Sequence, residues 1–180
     1  MAERLLAGDP FDESQNDYDW LGWGRYFWES DPGRALQFAR ESRDRRRRGG
    51  AAGEPEGKPA VVGAVIDPGL CFDLTTVRAT RMLAEAHARL VPTFAAIGID
   101  PPQNRGGLHR LDCAVINMFH QLRADIGDPP VDTVRGIFPE GGAAFDGSGL
   151  SRLTHTQICV RNPDAIIGVF RVSDRLMQPA

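Results

Sequence analysis

The sequence predicts an α+β domain. An aromatic, glycine-rich N-terminal part, two long helical periodicities in the middle and β-branched runs at the end predict it, because no strand–helix–strand succession connects them. With 180 residues and a 42% hydrophobic fraction, the chain suits one domain, residues 1–180, with a core of its own.

After a turn-rich acidic stretch from Asp9 to Asp19, the first element lies in LGWGRYFWESDPGRALQFA, Leu21 to Ala39. Tyr26, Phe27 and Trp28 crowd there beside Gly22 and Gly24. Aromatic residues in an extended segment form either a core strand or the wall of a pocket for a flat ligand. Ser30 or Asp31 then offers a helix cap, Pro32 suits the first turn, and Ala35, Phe38 and Ala39 follow at helical spacing. RDRRRRGGAAGEPEGKP comes next and reads as a mobile surface loop around residues 43–59. Its arginines, Arg45 to Arg48, form either a nucleic-acid contact or a solvated helix end. The absence of interleaved aromatics favours the second.

AVVGAVIDPG, Ala60 to Gly69, is a continuous β-branched run closed by Pro-Gly and predicts a buried strand. Asp73 precedes a helical pattern reaching Leu90, with Ala79, Leu83, Ala86, His87 and Leu90 on one face, so His87 is expected to pack in the core. HRLDCAVINMFHQLRADIG repeats that pattern through Leu111, Val115, Met118, Phe119, Leu122 and Ile126, and Gly127 supplies a stop. TVRGIFPEG reads as a short strand into a turn. THTQICVRNPDAIIGVFRV reads as a closing hairpin around Asn162-Pro163-Asp164.

Several function classes lose support at once. A net charge of −3 gives no global electrostatic case for nucleic-acid binding. Cys71, Cys113 and Cys159 are odd in number, widely spaced and in apolar surroundings, which suits reduced thiols in a cytoplasmic protein. No apolar run reaches membrane-span length, and MAERLLAGDP lacks the core of a signal peptide. His87, His109, His120 and His155 have no metal-ligand spacing, so no metal is expected. Ser148 lacks the G-x-S-x-G context of a nucleophile, and neither glycine-rich phosphate motif occurs.

Two segments carry a resemblance. GWGRYFWESDPGRALQFA resembles the G-x-G-[I/V]-Y-F segment and following small-residue helix of ADP-ribosyltransferases of the poly(ADP-ribose) polymerase and diphtheria-toxin branch. QICVRNPDAIIGVFRV is similar to that branch's closing strands around an Asn-Pro turn. Together with NDYDWLGWGRYFWE, VVGAVIDPG and DTVRGIFPEG, they resemble a bacterial group of stand-alone proteins of this fold. The resemblance implies an ADP-ribosyltransferase-like fold of two packed antiparallel sheets with flanking helices. It implies NAD as substrate and transfer of ADP-ribose to a macromolecule, protein or nucleic acid, or NAD hydrolysis, in the manner of a toxin or antiphage effector with an antitoxin partner. The alternative is a catalytically degenerate module that binds NAD, ADP-ribose or a protein.

The resemblance also assigns residues. Tyr26 would stack on nicotinamide, while Gly22 and Gly24, with Phe27 beside them, would let the backbone close on the ligand. Gln157 falls where the branch carries its catalytic glutamate. Such a group bonds the ribose 2′-hydroxyl and steadies an oxocarbenium-like transition state, so an uncharged Gln157 would stabilise that charge less well. Glu140 stands as the substitute carboxylate, against the plainer reading of a solvated turn glutamate. The branch's first strand, commonly bearing His-Gly-Thr, belongs upstream of AERLLAGDPF, and no histidine precedes His87 here.

Overall fold

A computed structural model describes residues 1–49 and 58–177. After a short helix α1 (Ala2–Leu6), strand β1 (Arg25–Trp28) leads into α2 (Pro32–Arg48). Asp31 caps α2: its side chain accepts from the Arg34 N–H at 2.8 Å, and Pro32 sits in the first turn, where no N–H is needed. The helix continues to Arg48, which corrects the loop expected around 43–59. Four arginines in its last turn complement the negative end of the helix dipole. Residues 50–57 of that expected loop lie outside the described residues.

Strand β2 (Val62–Ile66) is only partly buried, with Val65 48% exposed. The buried strand expected there is instead one half of a two-stranded ribbon. Cys71–Asp73 forms β3, a strand the sequence pattern did not mark. Helix α3 (Val77–Ala96) therefore starts after Thr76, whose hydroxyl accepts from the Ala79 N–H at 3.2 Å, and it passes Leu90 to include Pro92. Helix α4 (Arg110–Asp125) ends as expected before Gly127, which adopts φ +73°. Strands β4 (Thr133–Phe138), β5 (His155–Val160) and β6 (Ile166–Arg171) complete the chain.

The main sheet has the order β1-β5-β4-β3, and β2 pairs with β6 in a second sheet. Pairing is antiparallel except for β3 with β4, which run parallel, so the main sheet is mixed rather than wholly antiparallel. The expected closing hairpin is also corrected: β5 and β6 belong to different sheets, and Asn162-Pro163-Asp164 is a corner between them. Asp132 locks that corner. Its carboxylate accepts from the Asn162 side chain and the Leu70 N–H, both at 2.8 Å, and these donors hold it below the usual carboxylate range.

The core lies between the main sheet and the α3/α4 pair. Leu21, Phe72, Ala86, Leu90, Val115, Phe119, Val134 and Cys159 form it, with Phe72 stacked on Phe119 at 4.0 Å. No residue of β2 or β6 enters this cluster, so the two sheets do not share it as two packed sheets would. Tyr26, Cys159 and Val134 are register neighbours across β1, β5 and β4, and Trp28, Gln157 and Gly136 are the next such row. Cross-strand partners share a face, so Tyr26 and Gln157 project to the helix side of the sheet. Among the described residues no helix is long and apolar enough to cross a membrane.

Candidate functional site

The site begins at the turn before β1. Gly22 has φ +77°, and a Cβ there would lie 2.9 Å from both Asn117 Oδ1 and Ile116 Cγ2. At Gly24 a Cβ would strike Cys159 Sγ and lie 2.9 Å from the Val160 carbonyl oxygen. Both glycines admit a close approach, and in this structure the approaching surface is α4 and β5 of the protein itself rather than a ligand.

Tyr26 closes the same turn. Its hydroxyl donates to the Gly22 carbonyl at 2.6 Å and accepts from the Leu21 N–H at 2.9 Å, while the ring packs against the core cluster. Burial pushes its phenol well above the ordinary range. Replacing Tyr26 by Phe strands two backbone groups, and we expect a loss of about 2 kcal/mol in urea unfolding, since each buried orphan costs about 1–3 kcal/mol. An unchanged midpoint would show that the hydroxyl is not the tie. Phe27 points to the other face and meets Phe11 edge-on at 5.1 Å.

Gln157 lies opposite Trp28 on β1 and Gly136 on β4. Its side chain turns along β5 to His155, which is two residues away on the same face and 6% exposed. The Leu153 carbonyl can only accept, so His155 Nδ1 donates to it at 2.7 Å; Nε2 then accepts from the Gln157 amide at 2.8 Å. Glu140 is not a free turn carboxylate. It accepts from Arg34 Nη2 at 2.6 Å and stands 3.9 Å from His155 Nδ1. Arg34, 8% exposed, has no hydrogen-bond partner for Nε and Nη1 among the described residues, though Glu41 lies 3.7 Å from Nη1. Gln157, His155, Glu140 and Arg34 therefore form one connected polar chain. Gln157 and Glu140 are the members that the sequence singles out. His155 carried a signal in its i, i+2 relation to Gln157 on a strand; Arg34 carried none, because burial of a first-turn arginine depends on what lies across from the helix.

Two further arginines flank the Gly22–Trp23–Gly24 turn. Arg25 Nε donates to the Phe11 carbonyl at 2.9 Å, and Arg161 Nη1 to the Trp23 carbonyl at 3.1 Å. Among the described residues they bond only to backbone oxygens and neither forms an ion pair; Glu13 acts on Arg161 from farther away. The Trp23 side of that turn faces outward, with the residue 43% exposed. Cys113 and Cys159 sit beneath, and burial pushes their thiols up to about 11 and about 12, so neither is a ready nucleophile.

Comparison with protein-family models, curated proteins and solved structures gives no match.

A cleft of about 750 Å³ opens next to this chain of residues, between α3, α4 and the end of β4. Trp20, Phe138, Asp112, Thr80, Ala84 and His87 are among its lining residues; Tyr26, Gln157, Glu140, Gly22 and Gly24 are not. His87, expected in the core, is exposed on α3 and borders the cleft. The periodic face of α3 is wider than the part that α4 and the sheet cover, so its edge is left to solvent. Phe138 joins the two regions: its ring stacks with His155 at 5.7 Å on one side and with Trp20 on the other.

Proposed function

We propose that this domain binds an ADP-ribose-bearing ligand, NAD or ADP-ribose, without cleaving it, as a degenerate counterpart of the ADP-ribosyltransferases it resembles. One observation carries the reading: β1 and β5, far apart in sequence, pair with Trp28 opposite Gln157 and so bring together the two segments on which the resemblance rests. The choice of binding over transfer is supported by the three residues the chemistry would need. Tyr26 is tied to its own turn, Gln157 to His155 and Glu140 to Arg34. A developing oxocarbenium ion would meet no free carboxylate at Gln157. Arg25 and Arg161, which form no ion pair among the described residues, suit a pyrophosphate, and the exposed Trp23 suits a stacked base.

Calorimetry with ADP-ribose and NAD tests the reading. Saturable binding is expected, with NAD recovered intact after incubation. Arg161→Met should weaken affinity about 10- to 100-fold, the equivalent of one charge-assisted hydrogen bond. The reading fails if neither ligand binds saturably, or if Arg161→Met leaves affinity unchanged.

The 3.9 Å approach of Glu140 to His155 favours a second reading, since it sets a carboxylate one imidazole away from Gln157. On that reading the protein transfers ADP-ribose to a macromolecular acceptor, or hydrolyses NAD, and an antitoxin would be its natural partner. Nicotinamide release by the wild type, rising on Gln157→Glu and abolished on Glu140→Gln, would select it.

A further inference from the structure

We infer that the cleft between α3, α4 and the end of β4 is a second ligand site, separate from the turn at Gly22–Gly24, and that it takes a small ring-bearing amine. Its volume of about 750 Å³ falls within the range of about 300–1,000 Å³ typical of small-molecule sites. Fifteen residues line it, and none is Lys or Arg, so a ligand carrying phosphates would find no cation there. The single carboxylate among them is Asp112.

That carboxylate is available to a ligand. Asp112 sits in the first turn of α4, where free helix N–H groups would ordinarily favour an anion. Asn104 Oδ1 already accepts from the Leu111 and Asp112 N–H groups, at 2.9 and 3.3 Å, so the helix end presents no vacant pair of donors there. Asp112 itself has one partner, His109 Nδ1 at 3.1 Å, and its side chain is 47% exposed. The adjacent Arg110 is neutralised by Asp17 at 2.7 Å. The carboxylate in the cleft is therefore met only by the His109 ring, with no Lys or Arg among the lining residues to oppose it.

The other half of the site is flat and apolar. Trp20 stacks on Phe138 and meets His109 edge-on at 4.0 Å, giving a rigid aromatic wall. Gly136, without a side chain, lets Leu21 settle over β4 and complete the floor. The Trp20 indole nitrogen is buried without an acceptor among the described residues, a cost that a ring turned toward a ligand carbonyl or hydroxyl would relieve. A flat ring against Trp20 with a protonated amine directed at Asp112 uses both features. A purely apolar ligand would use only the first, and a carboxylated one would be repelled by the second.

Three naphthalene derivatives of one shape read this directly: the methylamine, the neutral methanol and the carboxylate, titrated against tryptophan fluorescence and by calorimetry. We expect saturable binding of the amine at least tenfold tighter than of the carboxylate. Asp112→Asn, which keeps the His109 contact, should remove that preference while leaving affinity for the neutral compound. Ala84→Trp, which fills the cleft from an exposed helical position, should abolish binding of all three without lowering the melting temperature; Thr80→Phe serves the same purpose should Ala84→Trp fold poorly. The inference is overturned if no compound binds saturably, if the neutral or anionic compound binds as tightly as the amine, or if the filled cleft binds like the wild type. ADP-ribose in excess should not displace the amine, which keeps this result independent of the ADP-ribose reading.

Discussion

Between pH 6.5 and pH 4 the protein is expected to lose about 3 kcal/mol of stability through one side chain, His120, at about 1.4 kcal/mol per pH unit. His120 lies on α4, where burial, followed by Arg161 and Arg123, lowers its pKa to about 3. Its Nε2 is buried with no hydrogen-bond partner among the described residues, so no acceptor there steadies an imidazolium proton. The unfolded chain takes up a proton near the ordinary value of about 6.5, whereas the folded chain does not until about 3. Across that window the unfolded state binds more protons, so stability is fully present above pH 6.5 and falls as the pH falls. Urea unfolding of wild type and His120→Leu at pH 7, 5 and 4 isolates the effect, because carboxylate protonation is common to both. The variant should show a shallower acid loss; parallel losses would mean that His120 is protonated in the fold.

Gly24→Ala is expected to destabilise the fold by about 2–4 kcal/mol, near the upper end for a single methyl group. The added carbon meets Cys159 Sγ and lies 2.9 Å from the Val160 carbonyl oxygen, both on the neighbouring strand. Sγ can be removed, but the carbonyl belongs to the sheet ladder and cannot retreat without breaking β1–β5 pairing. The double variant Gly24→Ala/Cys159→Ala should therefore recover part of the loss and not all of it, a non-additivity expected of touching residues. Full recovery would place the whole conflict at the thiol. Because the same turn carries Arg25 and Trp23, the variant should also weaken ADP-ribose binding in step with its stability.

Much of the α+β organisation was legible along the chain. Asp31 with Pro32 marked the start of α2, and Gly127 marked the end of α4, because caps and stops are set by a few neighbouring residues. The periodicity of α4 marked its buried face, where Val115 and Phe119 lie. Strand β3 escaped notice because Cys71–Asp73 is too short to show an alternation; only pairing with β4 makes it a strand. The favoured reading of Arg45–Arg48 as a solvated helix end agrees with the fold, where α2 carries them at the end its dipole favours, although the loop expected from residue 43 begins later.

The site divides in the same way. Sequence alone determined which groups are on offer: a glycine-flanked aromatic strand, and a glutamine and a glutamate at Gln157 and Glu140. Tertiary structure decided what those groups are free to do. Tyr26 turns to a carbonyl four residues back in its own turn, while whether Glu140 is solvated or paired and whether His87 is core or rim depend on what a distant segment places opposite them. Caps and periodicities are local energies and are written locally. Occupancy of a hydrogen bond or a cleft is a competition among segments 100 residues apart, as Arg34 with Glu140 at a separation of 106 shows, and only the folded chain resolves it.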